Sequence, residues 1–234
     1  MESEQRTGEP EHISGIMERL GIRRRDENDI AYPCANHRDV GIHNGEGCWK
    51  CREERETALD VYNRKQAIWK QNVPEFFREF DLDRAPNRAS AEKVLAWQFN
   101  PRGIIAHGDT GTGKTFAMYA LIKNLIRENI RVRCLTEYDF SLGVAEAQSK
   151  FELPHFVQSF YFNGVLFIDE LGQVKLSEQA EASLMDVIDK RIGRKLPTLF
   201  TSNYTGVALE NRFEPNRAKP VVRRIREFSE AIHF

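Results

Sequence analysis

The chain has 234 residues, 41% of them hydrophobic and 29% charged, which is enough for one well-buried core and a small satellite. Thirty-four Lys and Arg against 35 Asp and Glu leave a net charge of −1, so no global basic field advertises nucleic-acid binding, and any such surface must be a local patch. Apolar runs such as Val165-Leu166-Phe167-Ile168 fall far short of the ~20 residues of a membrane span, and the acidic, polar start lacks the order of a signal peptide; a soluble, cytoplasmic chain without a disulfide framework is expected.

In chain order, residues 1–33 read as a charged, flexible arm with the run Arg23-Arg24-Arg25-Asp26-Glu27, in which Ile13, Ile16, Met17 and Leu20 offer one face of a short helix. Residues 34–51 hold three of the four cysteines among glycines and histidines. A helix is expected over 52–71, with Leu59, Tyr62, Gln66 and Trp69 on one stripe, ended by Val73-Pro74. Thereafter strands and helices alternate. The pattern predicts a helix over 90–97 with Ser90 as its N-cap, a strand over 103–107, a helix over 114–129 and a strand over 131–136. Further strands are expected over 164–168 and 198–201, separated by a helix over 177–191, with a last helix over 221–228 and a closing strand over 231–234. This order implies an α/β fold, a parallel sheet with helices on both faces. Three parts follow: the arm (1–33), a metal module with its helix (34–71) and the α/β core (72–234).

Gly108-Asp109-Thr110-Gly111-Thr112-Gly113-Lys114-Thr115 fits G-x-x-x-x-G-K-[ST] between an expected strand and helix. The glycines let backbone N–H groups turn onto phosphates at the positive end of the helix; Lys114 should reach the β- and γ-phosphates of ATP, and Thr115 should ligate Mg²⁺. Asp169 and Glu170 emerge at the end of the apolar strand, where ligands bind in open α/β sheets. Asp169 is expected to hold the Mg²⁺ shell and Glu170 to act as general base toward water. Asn203, ending the strand Thr198-Leu199-Phe200-Thr201-Ser202, is placed to orient that water or touch the γ-phosphate. These residues describe an ATPase.

Cys34-x₂-His37-x₁₀-Cys48-x₂-Cys51 supplies two close ligand pairs, a set that suits tetrahedral, structural Zn²⁺, with His43 as an alternative fourth ligand. Cys134, inside an expected strand, reads as a core residue. Candidate basic positions for DNA are Lys123, Arg127, Arg131, Arg133 and Lys150, and the segment 138–162 contains Phe140, Phe151, Phe156, Phe160, Tyr161 and Phe162, suited either to stacking on bases or to burying helices.

Together the phosphate loop, Ile168-Asp169-Glu170-Leu171-Gly172, Ile188-Asp189-Lys190-Arg191, the Thr201-Ser202-Asn203 ending and the lead-in Val73-Pro74-Glu75-Phe76-Phe77-Arg78 resemble the DnaC/IstB group of AAA+ ATPases over roughly 72–234. The resemblance implies a RecA-like core, ATP-dependent self-association into rings or spirals, single-stranded DNA contacts and an extra helical element within 138–162. Such ATPases place an arginine at the start of the last helix to reach a neighbour's γ-phosphate and a second about one turn later. Here Pro220 stands at the first position; Arg223 is assigned the contact in trans and Arg224 the contact in cis, with Arg217 and Arg212 as alternatives in trans. The usual extended helical lid is not expected. The group implies a helicase loader in replication whose zinc module binds a hexameric replicative helicase. A transposition helper ATPase, a self-sufficient small replication helicase and an ATP-binding adaptor are the alternatives.

Overall fold

The computed structural model describes residues 32–37, 41–42 and 48–234. The charged arm, apart from its last two residues, and His43 lie outside the described residues. The chain divides into two compact units, Met1–Tyr62 and Asn63–Phe234.

In the first unit, β1 (Tyr32–Pro33) pairs antiparallel with β2 (Gly41–Ile42), Tyr32 opposite Ile42. The long helix α1 (Trp49–Asn72) begins three residues before the expected start and carries charge along most of its length. Among the described residues, no helix is long and apolar enough to cross a membrane.

The second unit holds two short 3₁₀ turns at Glu75–Phe77 and Leu82–Arg84. The remaining elements are α2 (Arg88–Leu95), β3 (Gly103–His107), α3 (Lys114–Arg127), β4 (Val132–Thr136), α4 (Glu137–Ser149), α5 (Leu153–Gln158), β5 (Val165–Asp169), α6 (Glu178–Gly193), β6 (Thr198–Ser202), α7 (Gly206–Glu210), α8 (Pro215–Phe228) and β7 (Ser229–His233). Five strands form one parallel sheet in the order β4-β5-β6-β3-β7.

Alternation along each strand divides the core in two. Ile104, Ala106, Val165, Phe167 and Leu199 point to one face, against Trp69, α2 and α3. Ile105, Leu166, Ile168 and Phe200 point to the other, against α4, α5, α6 and α8. Strands buried on both faces explain the uninterrupted apolar run 165–168. Because α3 leaves β3 on one face while α8 follows β6 on the other, a crevice opens at the carboxyl ends of these neighbouring strands. This is the RecA-like AAA+ arrangement. Among the described residues, no extended helical lid accompanies it.

Local chemistry sets the element boundaries. Thr136 and Asp139 form a reciprocal capping box on α4, and Ser177 caps α6 by accepting from the Ala180 N–H. Ser90 does not cap α2. Asn87 does, accepting from the Ser90 N–H at 3.2 Å, while the Ser90 hydroxyl donates to the His233 carbonyl. The last helix starts at Pro215, six residues before the expected point, because proline is well placed in a first turn and Pro220 is accommodated inside it. Ala218, Val221, Val222 and Ile225 form its buried stripe. Segment 138–162 folds into α4 and α5, where Phe140 and Phe160 are buried and Phe151 and Phe162 are exposed.

Candidate nucleotide-binding site and metal centre

The loop between β3 and α3 is shaped by two glycines in particular. Gly113, the N-cap of α3, has φ 95°, and Gly108 has φ 141° with room for a side chain closed off by the Phe234 carbonyl, 2.2 Å from where a Cβ would sit. The loop runs straight into α3, so its backbone N–H groups lie at a helix N-terminus, which suits the oxygens of a phosphate chain. The Lys114 ammonium, 7% exposed, donates to the carbonyls of Gly108 (2.8 Å) and Asp109 (2.6 Å). Burial pulls its pKa down, opposed by Asp109 and Asp169.

Asp169 ends β5 and is buried. Its Oδ1 accepts from the Thr115 hydroxyl at 3.1 Å and from the Thr201 hydroxyl. Burial raises its pKa, while these two hydroxyls favour the carboxylate. Thr115 and Asp169, two hard oxygen donors side by side, fit Mg²⁺. Glu170 is exposed, with φ 61°, and its N–H donates to Thr201 Oγ1 at 2.9 Å. A cleft of about 1030 Å³ is lined by Thr110, Gly111, Gly113, Lys114, Thr115, Glu170 and Asn203, with Phe76, Phe77 and Phe116 on its apolar wall. Phe116 lies 5.3 Å from Phe76 and 4.8 Å from Phe77 between ring centroids. The structure thus gathers Thr110, Gly111, Gly113, Lys114, Thr115, Glu170 and Asn203 around one cleft, with Asp169 bonded to Thr115; Gly108, Asp109 and Thr112 belong to the same loop but are not among the lining residues.

The arginines lie elsewhere. Arg224 is bonded to Asp189 of α6, and Arg223 pairs with Glu227 one turn on at 3.5 Å with its side chain 65% exposed. Neither lines the cleft. Arg217 pairs with Glu178 at 3.0 Å, and Arg212 donates to the carbonyls of Gly172 and Gln173. Of the candidate DNA-contacting cations, Arg133 is stacked 3.6 Å over the buried Phe160 ring and Lys150 is paired with Glu146 at 2.6 Å. Lys123 lies 5.6 Å over Trp69, and the exposed Phe162 ring carries Arg194 at 4.8 Å.

In the first unit, the ligand atoms of Cys34, His37, Cys48 and Cys51 all lie within 4.8 Å of one another. Cys34 Sγ is 3.6 Å from Cys51 Sγ, and His37 Nδ1 is 3.9, 3.7 and 3.3 Å from the sulfurs of Cys34, Cys48 and Cys51. Ligands about 2.0–2.3 Å from a central Zn²⁺ at tetrahedral angles would be spaced in this way, so the residues fit the ion. Glu54 faces His37 Nε2 at 2.9 Å, the second-nitrogen contact that orients a metal-binding imidazole. The same contact raises the His37 pKa to about 9. The Asn36 backbone N–H leads the interactions that hold the Cys34 thiol down to about 6, favouring the thiolate a metal needs.

Sequence reasoning missed Glu54, Thr201 as a partner of Asp169, and the apolar wall at Phe116. Glu54 was detectable, since it stands one helical turn after Cys51. The Thr201 contact crosses between strands and leaves no trace in sequence spacing.

The sequence family of IstB-like ATP binding proteins matches residues 51–219. A Pseudomonas fluorescens protein of insertion sequence IS1162, named for ATP binding, is 30% identical over 133 residues, 52% of this chain and 55% of that protein. The chain thus matches only about half the length of this curated relative. Among solved structures, a Streptococcus pyogenes protein described as a primosome component is 25% identical with TM-score 0.57, covering 72% of this chain and 94% of that one. The DnaC helicase loader is 19% identical with TM-score 0.54, covering 71% and 98%, a likeness of fold.

Proposed function

Since the chain belongs to the family of IstB-like ATP binding proteins, we propose that it is an ATPase of DNA replication that delivers a hexameric replicative helicase to single-stranded DNA. The observation that carries the reading is the combination, in one chain, of a phosphate-loop site with a four-ligand Cys₃His centre. Residues 34–71 would hold the helicase and residues 72–234 would bind nucleotide and DNA. Trp49, Leu59 and Tyr62, each more than half exposed, supply apolar contact surface on the helix that also carries Cys51. The similarity to a protein described as a primosome component supports replication as the setting. The insertion-sequence relative supports a second reading, a transposition helper that assembles on duplex DNA and engages a transposase.

The chemistry proposed for the cleft is hydrolysis of ATP to ADP and phosphate. Mg²⁺, when bound, neutralises charge on the β- and γ-phosphates. Thr115 and Asp169 would hold it. The loop amides and the α3 N-terminus bind the phosphates, Lys114 adds a full positive charge, and Phe76 and Phe116 present ring faces to the base. Glu170 takes a proton from water as its oxygen attacks the γ-phosphorus, and the bond from that phosphorus to the β–γ bridging oxygen breaks, releasing ADP. The Asn203 amide orients the water. Arg223, exposed on α8, is the group proposed to reach the γ-phosphate of a neighbouring copy in a ring or spiral. Arg224, held by Asp189, would have to leave that ion pair to make the contact in cis.

The test is co-purification of the tagged full chain, and of Cys48→Ser/Cys51→Ser, from native cells with ATP and Mg²⁺. A replicative helicase retained by the wild type and lost by the double variant is the expected result. A transposase in its place establishes the second reading, and the absence of any protein partner overturns both.

A further inference from the structure

Glu137, the first residue of α4, is 1% exposed and plays no part in the chemistry described above. Its Oε2 accepts from the N–H groups of Gly172 (3.0 Å) and Val174 (3.2 Å). Its Oε1 is buried with no hydrogen-bond partner among the described residues. Arg212 donates through Nε to the Gly172 carbonyl (2.5 Å) and through Nη2 to the Gln173 carbonyl (3.1 Å). Two side chains, Glu137 of α4 and Arg212 of the α7–α8 connection, therefore hold four polar backbone atoms of residues 172–174.

The turn carrying them begins at Glu170. The Gln173 N–H donates to the Glu170 carbonyl at 3.0 Å, and the Leu171 N–H to the Thr201 carbonyl at 2.8 Å. Glu170 itself sits at φ 61°, a left-handed conformation that a glutamate keeps only when its surroundings impose it. This backbone sets the direction in which the side chain leaves the chain, so whatever holds residues 171–174 also sets where the Glu170 side chain starts into the cleft that it lines.

We propose that Glu137 is a positioning residue for ATP hydrolysis, fixing the turn after β5 so that the Glu170 carboxylate faces the attacking water. The inference rests on the reading of Glu170 as the general base. Burial pushes the Glu137 carboxyl up to about 7, so its neutral acid is readily accessible near neutrality. The carbonyl oxygen of that acid still accepts both amides, and glutamine is its neutral mimic.

The experiment compares full-length wild type, Glu137→Ala, Glu137→Gln, Glu137→Asp and Glu170→Gln for steady-state ATPase kinetics and for the Kd of a fluorescent ATP analogue. Glu137→Ala should lower kcat about tenfold or more with Kd within about twofold of wild type, because the phosphate loop is untouched. Glu137→Gln should restore kcat to within about threefold. Glu137→Asp keeps the charge and shortens the side chain by one methylene, so it should lose kcat as the alanine variant does; it carries the test if the alanine variant fails to fold. Wild-type kcat in a folded Glu137→Ala or Glu137→Asp, while Glu170→Gln is silent, overturns the inference alone. So does a parallel loss of Kd and kcat, which marks a general structural role. An inactive wild type, or a Glu170→Gln variant that hydrolyses normally, overturns the general-base reading and the inference with it.

Discussion

Lys114 shows how much a single residue decides at this site. Its ammonium is largely desolvated and is satisfied by two carbonyls of its own loop, so a phosphate chain offers it a charged acceptor in place of neutral ones. Hydrogen bonds to charged groups contribute about 1.5–3 kcal/mol each, so Lys114→Ala should weaken nucleotide binding on the order of 100-fold. Titration with a labelled ATP analogue checks this; an affinity within threefold of wild type would remove Lys114 from the site. The shape of the glycine loop and the start of α3 were legible in the sequence because backbone geometry demands glycines there at fixed spacing. Glu137 and Thr201 were not, since their partners lie 35 and 32 residues away and the contacts exist only once the strands are aligned.

At the scale of elements, β3, α3, β5, α6 and β6 were legible to within one or two residues, because each strand is a short apolar run and each of these helices begins at a glycine or a serine cap. The start of α8 was expected at 221 and lies at Pro215, where a proline opens the helix and Pro220 rides within it. Arg191 is the less obvious element-level device. It ends the expected span of α6, is fully buried, and donates to the carbonyls of Phe160, Asn163, Gly164 and Pro197 and to the Thr198 hydroxyl. One guanidinium thereby ties the approaches to β5 and β6 together, and burial lowers its pKa to about 10. Arg191→Leu removes the donor from the carbonyls of Phe160, Asn163 and Gly164 and from the Thr198 hydroxyl, at about 1–3 kcal/mol for each buried unsatisfied group, so a loss on the order of 3 kcal/mol or more is expected. Urea unfolding should show it as a lower midpoint with an unchanged slope, and a midpoint equal to wild type would contradict it.

For the whole molecule, a net charge of −1 leaves little long-range attraction for DNA, and many of the core cations are already engaged by aromatic rings or carboxylates. DNA binding by one copy should accordingly be weak and salt-sensitive, and should strengthen when several copies act together. Self-association is therefore central to the proposed function, in which Arg223, exposed on α8, would reach a neighbour while the cleft of the same chain would take nucleotide. Trapping the ATP-bound form is the way to see it. The measurement that bears most directly on this account is the solution mass of full-length Glu170→Gln, by light scattering, with ATP and Mg²⁺ and then with ADP. A multi-subunit species with ATP, reverting with ADP and lost in Glu170→Gln/Arg223→Ala, is the predicted result. One mass in both nucleotides would contradict it.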